Sequence, residues 1–175
     1  MIVLETPRLT LRHLEPADLD ALATIQADPE VMRYFPSGPR SRAITADDLG
    51  RCIRTQAERG FSLWATIHRP DGQFIGRCGL LPEAINGVEE VEVAYLIARS
   101  HWGLGLATEA ARAIRDHALH TLGHPRLMSL IHRDNLASRR VAEKAGFRPE
   151  RLVQFMNHRC WIYALDRATA PGGPA

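Results

Sequence analysis

The stretch Glu90 to Ala111, EVEVAYLIARSHWGLGLATEAA, decides the fold. Its first part alternates. Val91, Val93, Tyr95 and Ile97 share one face of a strand, and Glu90, Glu92, Ala94 and Leu96 share the other. Gly103-Leu104-Gly105 then breaks the strand, and Leu106, Ala110, Ile114 and Ala118 recur at helical spacing, which predicts a helix from Leu104 to Leu122. A helix start leaves its first amides unpaired at the positive end of the helix dipole. Gly103 and Gly105 carry no Cβ, so an anion can approach their backbone closely. The turn reads as a phosphate cradle, or as a plain strand-to-helix turn whose glycines serve its own geometry. Spacing alone does not separate the two. The P-loop is excluded, because no Lys-Ser/Thr follows the last glycine. The dinucleotide fingerprint needs a small residue where Thr108 stands and an acid at the end of a second parallel strand.

Before this stretch, Phe61–His68, Gln73–Leu81 and Val88–Ile97 read as strands. They are joined by the turn Arg69-Pro70-Asp71-Gly72 and the hairpin signal Asn86-Gly87. They predict an antiparallel meander. Further upstream, Arg8–His13 reads as a strand. A helix opens at Glu15-Pro16, a turn or two of helix follows Asp28-Pro29, and a second helix runs to Gly60 from Thr45, taken as its N-cap. Downstream, Arg126–His132 is a strand and Asn135–Ala145 a helix closed by Gly146 and Phe147. Residues 153–156 and 158–165 form a last strand pair. The order predicts an α+β (mixed α/β) domain with one mostly antiparallel sheet and helices on its faces.

The 175 residues suit one domain, with residues 168–175 as a frayed tail of small residues, Pro and Gly. Lys+Arg 22 against Asp+Glu 20 is too balanced for a protein held to nucleic acid by phosphate neutralisation. No apolar run reaches the length of a membrane span, and Met1-Ile-Val-Leu-Glu-Thr-Pro lacks the basic and apolar regions of a signal peptide. Cys52, Cys78 and Cys160 are too few and scattered for a disulfide framework, and read as buried thiols of a cytoplasmic protein. His117, His120 and His124 lack a carboxylate at metal-ligand spacing. They read as a solvated helix end, and no metal is expected.

Trp102-Gly103-Leu104-Gly105-Leu106-Ala107 resembles the Gln/Arg-x-x-Gly-x-Gly/Ala signature of the GNAT superfamily of N-acetyltransferases. Asp28-Pro29-Glu30-Val31-Met32-Arg33-Tyr34, Gly76-Arg77-Cys78-Gly79-Leu80, Asn135-Leu136-Ala137-Ser138 and Lys144-Ala145-Gly146-Phe147 are similar to the branch that acetylates N-termini of ribosomal proteins. The likeness spans residues 6–165 in order. It implies a GNAT-like fold of about seven strands and about four helices in one acetyltransferase domain, residues 1–167. It also implies acetyl-coenzyme A as donor. Amides of Trp102, Gly103, Leu104, Gly105, Leu106 and Ala107, with Thr108 beside them, would hold the pyrophosphate. The backbone at Tyr95 and Ile97 would pair with the pantetheine arm, and Asn135 and Ser138 would lie near the thioester. Trp102 stands where the signature has Gln or Arg, which removes one side-chain contact but no main-chain donor.

An amine is mostly protonated at neutral pH and must lose a proton before it attacks. Glu92, in Glu92-Val93-Ala94-Tyr95, is similar to the Glu of the branch's Glu-x-Gly-Tyr pattern and would accept that proton; otherwise it is a surface Glu on a solvated strand face. Ser138 would protonate the departing thiolate, or else binds helix backbone. Asn135 reads as an N-cap as well as a coenzyme contact. Main-chain amides near 94–97 would face the developing oxyanion. The expected activity is direct acetyl transfer in a ternary complex to a small-molecule amine or a peptide N-terminus, bordered by the Tyr34–Arg42 loop. The competing readings are a non-catalytic acyl-coenzyme A sensor on the same fold and a nucleotide-binding enzyme. The resemblance admits a homodimer, and no stretch of sequence marks its interface.

Overall fold

The computed structural model describes residues 1–170. Asn86 and Gly87 both take positive φ, 51° and 82°, as a tight two-residue hairpin demands. They join β4 (Gln73–Ile85) to β5 (Val88–Ile97) in unbroken antiparallel register from Ile85↔Val88 to Gly76↔Ile97. Beyond β4 lie β3 (Leu63–His68), β2 (Leu9–Arg12) and β1 (Ile2–Glu5), each antiparallel to its neighbour. Beyond β5 lie β6 (Arg126–His132), β8 (His158–Asp166) and β7 (Arg148–Phe155), giving one eight-stranded sheet. Among the described residues the β5–β6 junction alone is parallel. β1 is short and half exposed, which left its sequence pattern weak. β7 starts five residues ahead of the expected 153–156 segment. Pro149 masks it in the sequence and is tolerated because β7 is an edge strand with a register shift at Pro149/Arg151.

Among the described residues five α-helices cover the sheet. α4 (Leu106–Asp116) and α5 (Leu136–Lys144) pack on one face, where Val93, Ile97, Leu106, Ala110, Ile114, Ala142 and Phe147 share the main core. α1 (Leu19–Ala27), α2 (Pro29–Met32) and α3 (Arg42–Arg59) cover the other face through Leu22, Leu49, Leu63 and Ala65, and through Ile25, Met32 and Leu96. α4 is shorter than expected. It begins after Gly105, whose left-handed backbone cannot lie inside an α-helix, and passes at His117 into a π turn ending at Thr121. His117 and His124 then pack edge-on against Trp64 and Phe61, at 5.9 and 5.3 Å between ring centroids. Burial lowers both imidazole pKa values, and these two are half-buried rings packed on core aromatics rather than a solvated helix end; His120 alone of the three is exposed. α5 ends as expected, with Phe147 and Gly146 amides donating to the carbonyls of Ala142 and Glu143 at 3.0 Å each. Of the expected tail, Arg167–Thr169 form one 3-10 turn and Ala170 packs against the main core, while residues 171–175 lie outside the described residues.

The N-cap of α3 is Ser41, whose hydroxyl accepts from the Ile44 amide at 3.3 Å, and not Thr45. Thr45 is buried one turn further on and donates to Gln26 at 2.9 Å. The acid three residues later, Asp48, closes no capping box. It is a buried anchor between α3 and the sheet. Its Oδ2 meets Arg77 of β4 and Arg40 at 2.6 Å each, and Arg51 holds its other oxygen. Burial alone would raise the Asp48 carboxyl pKa. The attraction of Arg77 and Arg40 outweighs it and holds the group below the ordinary aspartate range.

Removing Asp48's charge strands Arg77, which is buried, among its own kind. Asp48→Asn is expected to lower unfolding stability by about 3–5 kcal/mol in a denaturant melt at pH 7. Because the folded-state pKa lies below the unfolded value, the ion cluster's contribution is present above that value. It is lost as pH falls through the folded-state pKa, and the variant should lack that part of the acid dependence.

Candidate active site at the wedge between β5 and β6

Two neighbouring parallel strands ordinarily bond along their length. β5 and β6 pair at Glu92↔Met128 alone and then part. Side chains take over where the ladder stops. Ser129 Oγ donates to the Val93 carbonyl at 3.0 Å, and the Leu130 amide donates to a Glu92 carboxylate oxygen at 3.2 Å. Strand alternation puts the main-chain groups of Val93, Tyr95 and Ile97 on the β6 side, since those of Ala94, Leu96 and Ala98 serve β4. Past Val93 the edge at Tyr95 and Ile97 therefore faces an opening rather than a strand. Tyr95 spans it with its side chain, its hydroxyl donating to the Ser138 carbonyl of α5 at 2.8 Å. Burial is the main cause that raises the Tyr95 pKa, and the phenol stays protonated.

Glu92 keeps a little accessible surface, while its carboxylate is wrapped by protein. Burial, with a smaller push from Glu83, raises its pKa to about 8 against the pull of the Leu130 amide. It is not the surface Glu of the bland alternative. Ser138 lies in the first turn of α5. Its amide donates to Asn135 Oδ1 at 3.1 Å, so Asn135 is an N-cap and keeps its side-chain amide nitrogen for other contacts.

At the top of β5 the chain makes a 3-10 turn (Arg99–His101) and enters Gly103 and Gly105 at φ 77° and 79°, values that favour glycine. Among the described residues no carbonyl or side chain accepts from the amides of residues 103–108. These donors, with the α4 dipole behind them, fit an anionic group such as a diphosphate. Trp102 latches the loop: its indole nitrogen donates to the Ile97 carbonyl at 2.8 Å, while the ring stays half exposed.

Arg8, Thr6 and Glu109 also shape the loop, and sequence reading missed them. Glu109, in the first turn of α4, accepts from Thr6 Oγ1 at 2.6 Å, from the Arg8 amide at 2.9 Å and from Arg8 Nε at 2.7 Å. Arg8 also donates to the Leu104 carbonyl at 2.9 Å. Burial alone would raise the Glu109 pKa; the bonds from Thr6 and Arg8 outweigh it and lower it. Arg8 and Glu109 are 101 residues apart in the chain, and no local pattern pairs them.

On the α1–α3 side, the expected acceptor loop divides. Phe35 packs with Ile25, Val31, Met32 and Leu96, and Arg40 turns inward to Asp48, so both hold structure. Tyr34 instead faces His132 at the end of β6, 5.3 Å between centroids, and His132 meets His158 at 4.9 Å. Among the described residues no helix is long and apolar enough to cross a membrane.

A family model described as an acetyltransferase (GNAT) domain matches residues 8–148. The protein YkkB of Bacillus subtilis (strain 168) is 35% identical over 161 residues, 91% of this chain and 93% of that protein. An N-acetyltransferase, p20, of Bacillus licheniformis is 30% identical over 88% of this chain and 86% of its own length. The spermidine N(1)-acetyltransferase of Escherichia coli (strain K12) is 30% identical over 80% of this chain and 73% of that protein. An acetyltransferase structure from Agrobacterium tumefaciens (strain C58) superposes with a TM-score of 0.81 at 28% identity, covering 94% of each chain. The ribosomal-protein acetyltransferase RimL in complex with coenzyme A superposes with a TM-score of 0.78 at 20% identity, covering 95% of this chain and 98% of that one, a likeness of fold.

Two outcomes follow from the geometry. At Gly105 an added Cβ meets only Arg8 at 3.7 Å, so the penalty of a side chain there is conformational. Gly105→Val should turn the loop amides away and weaken coenzyme A binding about tenfold or more by calorimetry, with the far-UV circular dichroism spectrum kept; unchanged affinity would remove the cradle. For Glu92, a folded-state pKa above the unfolded one means stability present below pH about 4.5 and lost as pH rises through about 8. Glu92→Gln mimics the protonated form, so its melting temperature should pull ahead of wild type from pH 6 to pH 9.

Proposed function

Given that the chain belongs to the acetyltransferase (GNAT) family, we propose that it transfers an acetyl group from acetyl-coenzyme A directly to a primary amine in a ternary complex, with Glu92 as general base. When bound, the coenzyme supplies the acetyl group as a thioester. The amides of residues 103–108 hold its diphosphate, while the Trp102 amide, expected among them, is taken by the Arg99 carbonyl at 3.2 Å; the edge of β5 at Tyr95 and Ile97 receives its extended arm as an added strand would. Trp102 keeps that edge and the loop in register, and Asn135 and Ser138 border the far side of the wedge.

The observation that carries the reading is the Glu92 carboxyl at the point where β5 and β6 part. Its pKa of about 8 gives it a basicity matched to proton transfer near neutral pH. It takes the amine proton directly or through water. Ser138 Oγ is the group proposed to return a proton to the leaving sulfur. A ternary complex is supported by the cysteines. All three are buried, and burial is the leading cause that raises their pKa values, to about 11 for Cys78 and Cys160, so none is poised as a thiolate nucleophile. The acceptor lies on the α1–α3 side of the wedge, next to Tyr34 and His132. The likeness to the Escherichia coli spermidine enzyme supports an amine acceptor, with polyamines, amino acids and peptide N-termini as the classes to try.

The test is a pH–rate profile, run with the best acceptor from a panel of polyamines, amino acids and peptide N-termini. Wild-type turnover should rise with pH through about 8 as Glu92 ionises. Glu92→Gln should lose about 10²–10⁴-fold at neutral pH, recover towards high pH where the amine is already free, and keep coenzyme affinity. Equal turnover in both proteins at pH 7 would take Glu92 out of the mechanism.

A further inference from the structure

Away from the wedge, three side chains from two distant segments converge on one point. His68 ends β3, Asp71 sits in the turn to β4, and His101 ends the 3-10 turn that leads into the glycine loop. One donor atom from each lies within 4.8 Å of the other two. Asp71 Oδ1 stands 3.0 Å from His68 Nδ1, and the His68 and His101 rings meet edge-on at 5.2 Å.

We propose that His68, Asp71 and His101 form a binding site for a divalent first-row transition metal, zinc first among them, that ties the β3–β4 turn to the entrance of the coenzyme loop. Two imidazoles and a carboxylate are the donor set that zinc takes in three-ligand sites with an open position, and imidazoles select against magnesium and calcium. The carboxylate is already aimed, because Asp71 Oδ1 also accepts from the Gln73 amide at 3.1 Å. Ser100 Oγ lies 2.9 Å from His101 Nδ1, which leaves Nε2 as the ring nitrogen to give and supplies the outer partner that ligating histidines use. Metal–ligand bonds of about 2.1 Å place ligands about 3.4 Å apart, which side-chain rotation reaches from the observed spacing. Asp71 is exposed and the histidines are half-buried, so the site opens to solvent on one side for entry and for a water ligand. His101 stands two residues before Gly103, so a bound metal fixes the start of the loop without entering the wedge.

The test is calorimetry with zinc chloride on the full chain, comparing wild type with His101→Ala, Asp71→Asn and, at an exposed histidine outside the site, His120→Ala. Wild type and His120→Ala should bind one zinc with equal affinity, and magnesium chloride should give no binding. The two site variants should lose about tenfold or more in affinity. Zinc at about 100 times its wild-type Kd should raise the wild-type melting temperature by about 5–10 °C, and at the same concentration should raise that of the variants by about half as much or less. If His101→Ala fails to fold, Asp71→Asn decides alone, since it lies in an exposed turn. Zinc held equally by wild type and site variants, or lost equally in His120→Ala, or not held by wild type at all, overturns the proposal.

Discussion

The site depends on one constraint: a parallel strand pair that bonds at a single position and then separates. Strand edges left open usually invite another chain. At the β5–β6 junction the open edge is short, lies inside the sheet, and is closed on both sides by side chains. Ser129 and Glu92 satisfy the Val93 carbonyl and the Leu130 amide, the first two groups that the parting would orphan, and Tyr95 bridges to α5. Past Val93 the backbone edge at Tyr95 and Ile97 is free of a strand partner. The parallel crossover between the two strands runs through α4 on one face of the sheet, and the α4 N-terminus lies at the top of the same edge. One topological event therefore sets the free strand edge beside the helix-start amides.

Glu92 serves two purposes that pull in opposite directions. As acceptor for the Leu130 amide it is best ionised, since a charged acceptor bonds more strongly. As a carboxyl wrapped by protein beside Glu83 it is best neutral. Burial dominates and the pKa settles at about 8. A group on so shallow a balance exchanges its proton near neutral pH at little cost, which suits a proton acceptor. It also means that the wedge is held by a bond whose strength varies with pH, so stability and chemistry are linked through one oxygen.

Most of the frame was legible because its signals are local. The strand–glycine–helix passage at 90–111, the Asn86-Gly87 hairpin, and the Gly146-Phe147 helix end each rest on backbone preferences of neighbouring residues. The departures have physical reasons. The capping signal at Thr45 and Asp48 was imitated by two residues with tertiary partners, Gln26 and the arginines. Pro149 hid a strand that an edge tolerates, and a π turn set His117 and His124 against the core aromatics Trp64 and Phe61. At the site, alternation put Glu92 on one face of the strand with Glu90, glycine spacing marked the loop, and the resemblance to the acetyltransferase pattern singled both out. Arg8, Glu109 and Ser129 did not stand out, because their partners are brought to them by the fold, and neither spacing nor residue type marks such long-range pairs.

The balance of charge tells the same lesson at a larger scale. A net charge of +2 describes a chain of almost equal acids and bases, and it hides two opposite local imbalances. Around Asp48 one carboxylate faces Arg40, Arg51 and Arg77, and the cluster clamps α3 and the loop before it to β4. Around Glu92 the charge that bears on its pKa is another acid, Glu83, and the polar partner is a backbone amide. The first arrangement drives an acid's pKa down and makes it an anchor; the second drives it up, as the proposed role of proton acceptor requires. Both acids sit on one side of the sheet, in elements that adjoin. What separates the two carboxyls is the number of guanidiniums within reach, a property of the fold that no total over the sequence contains.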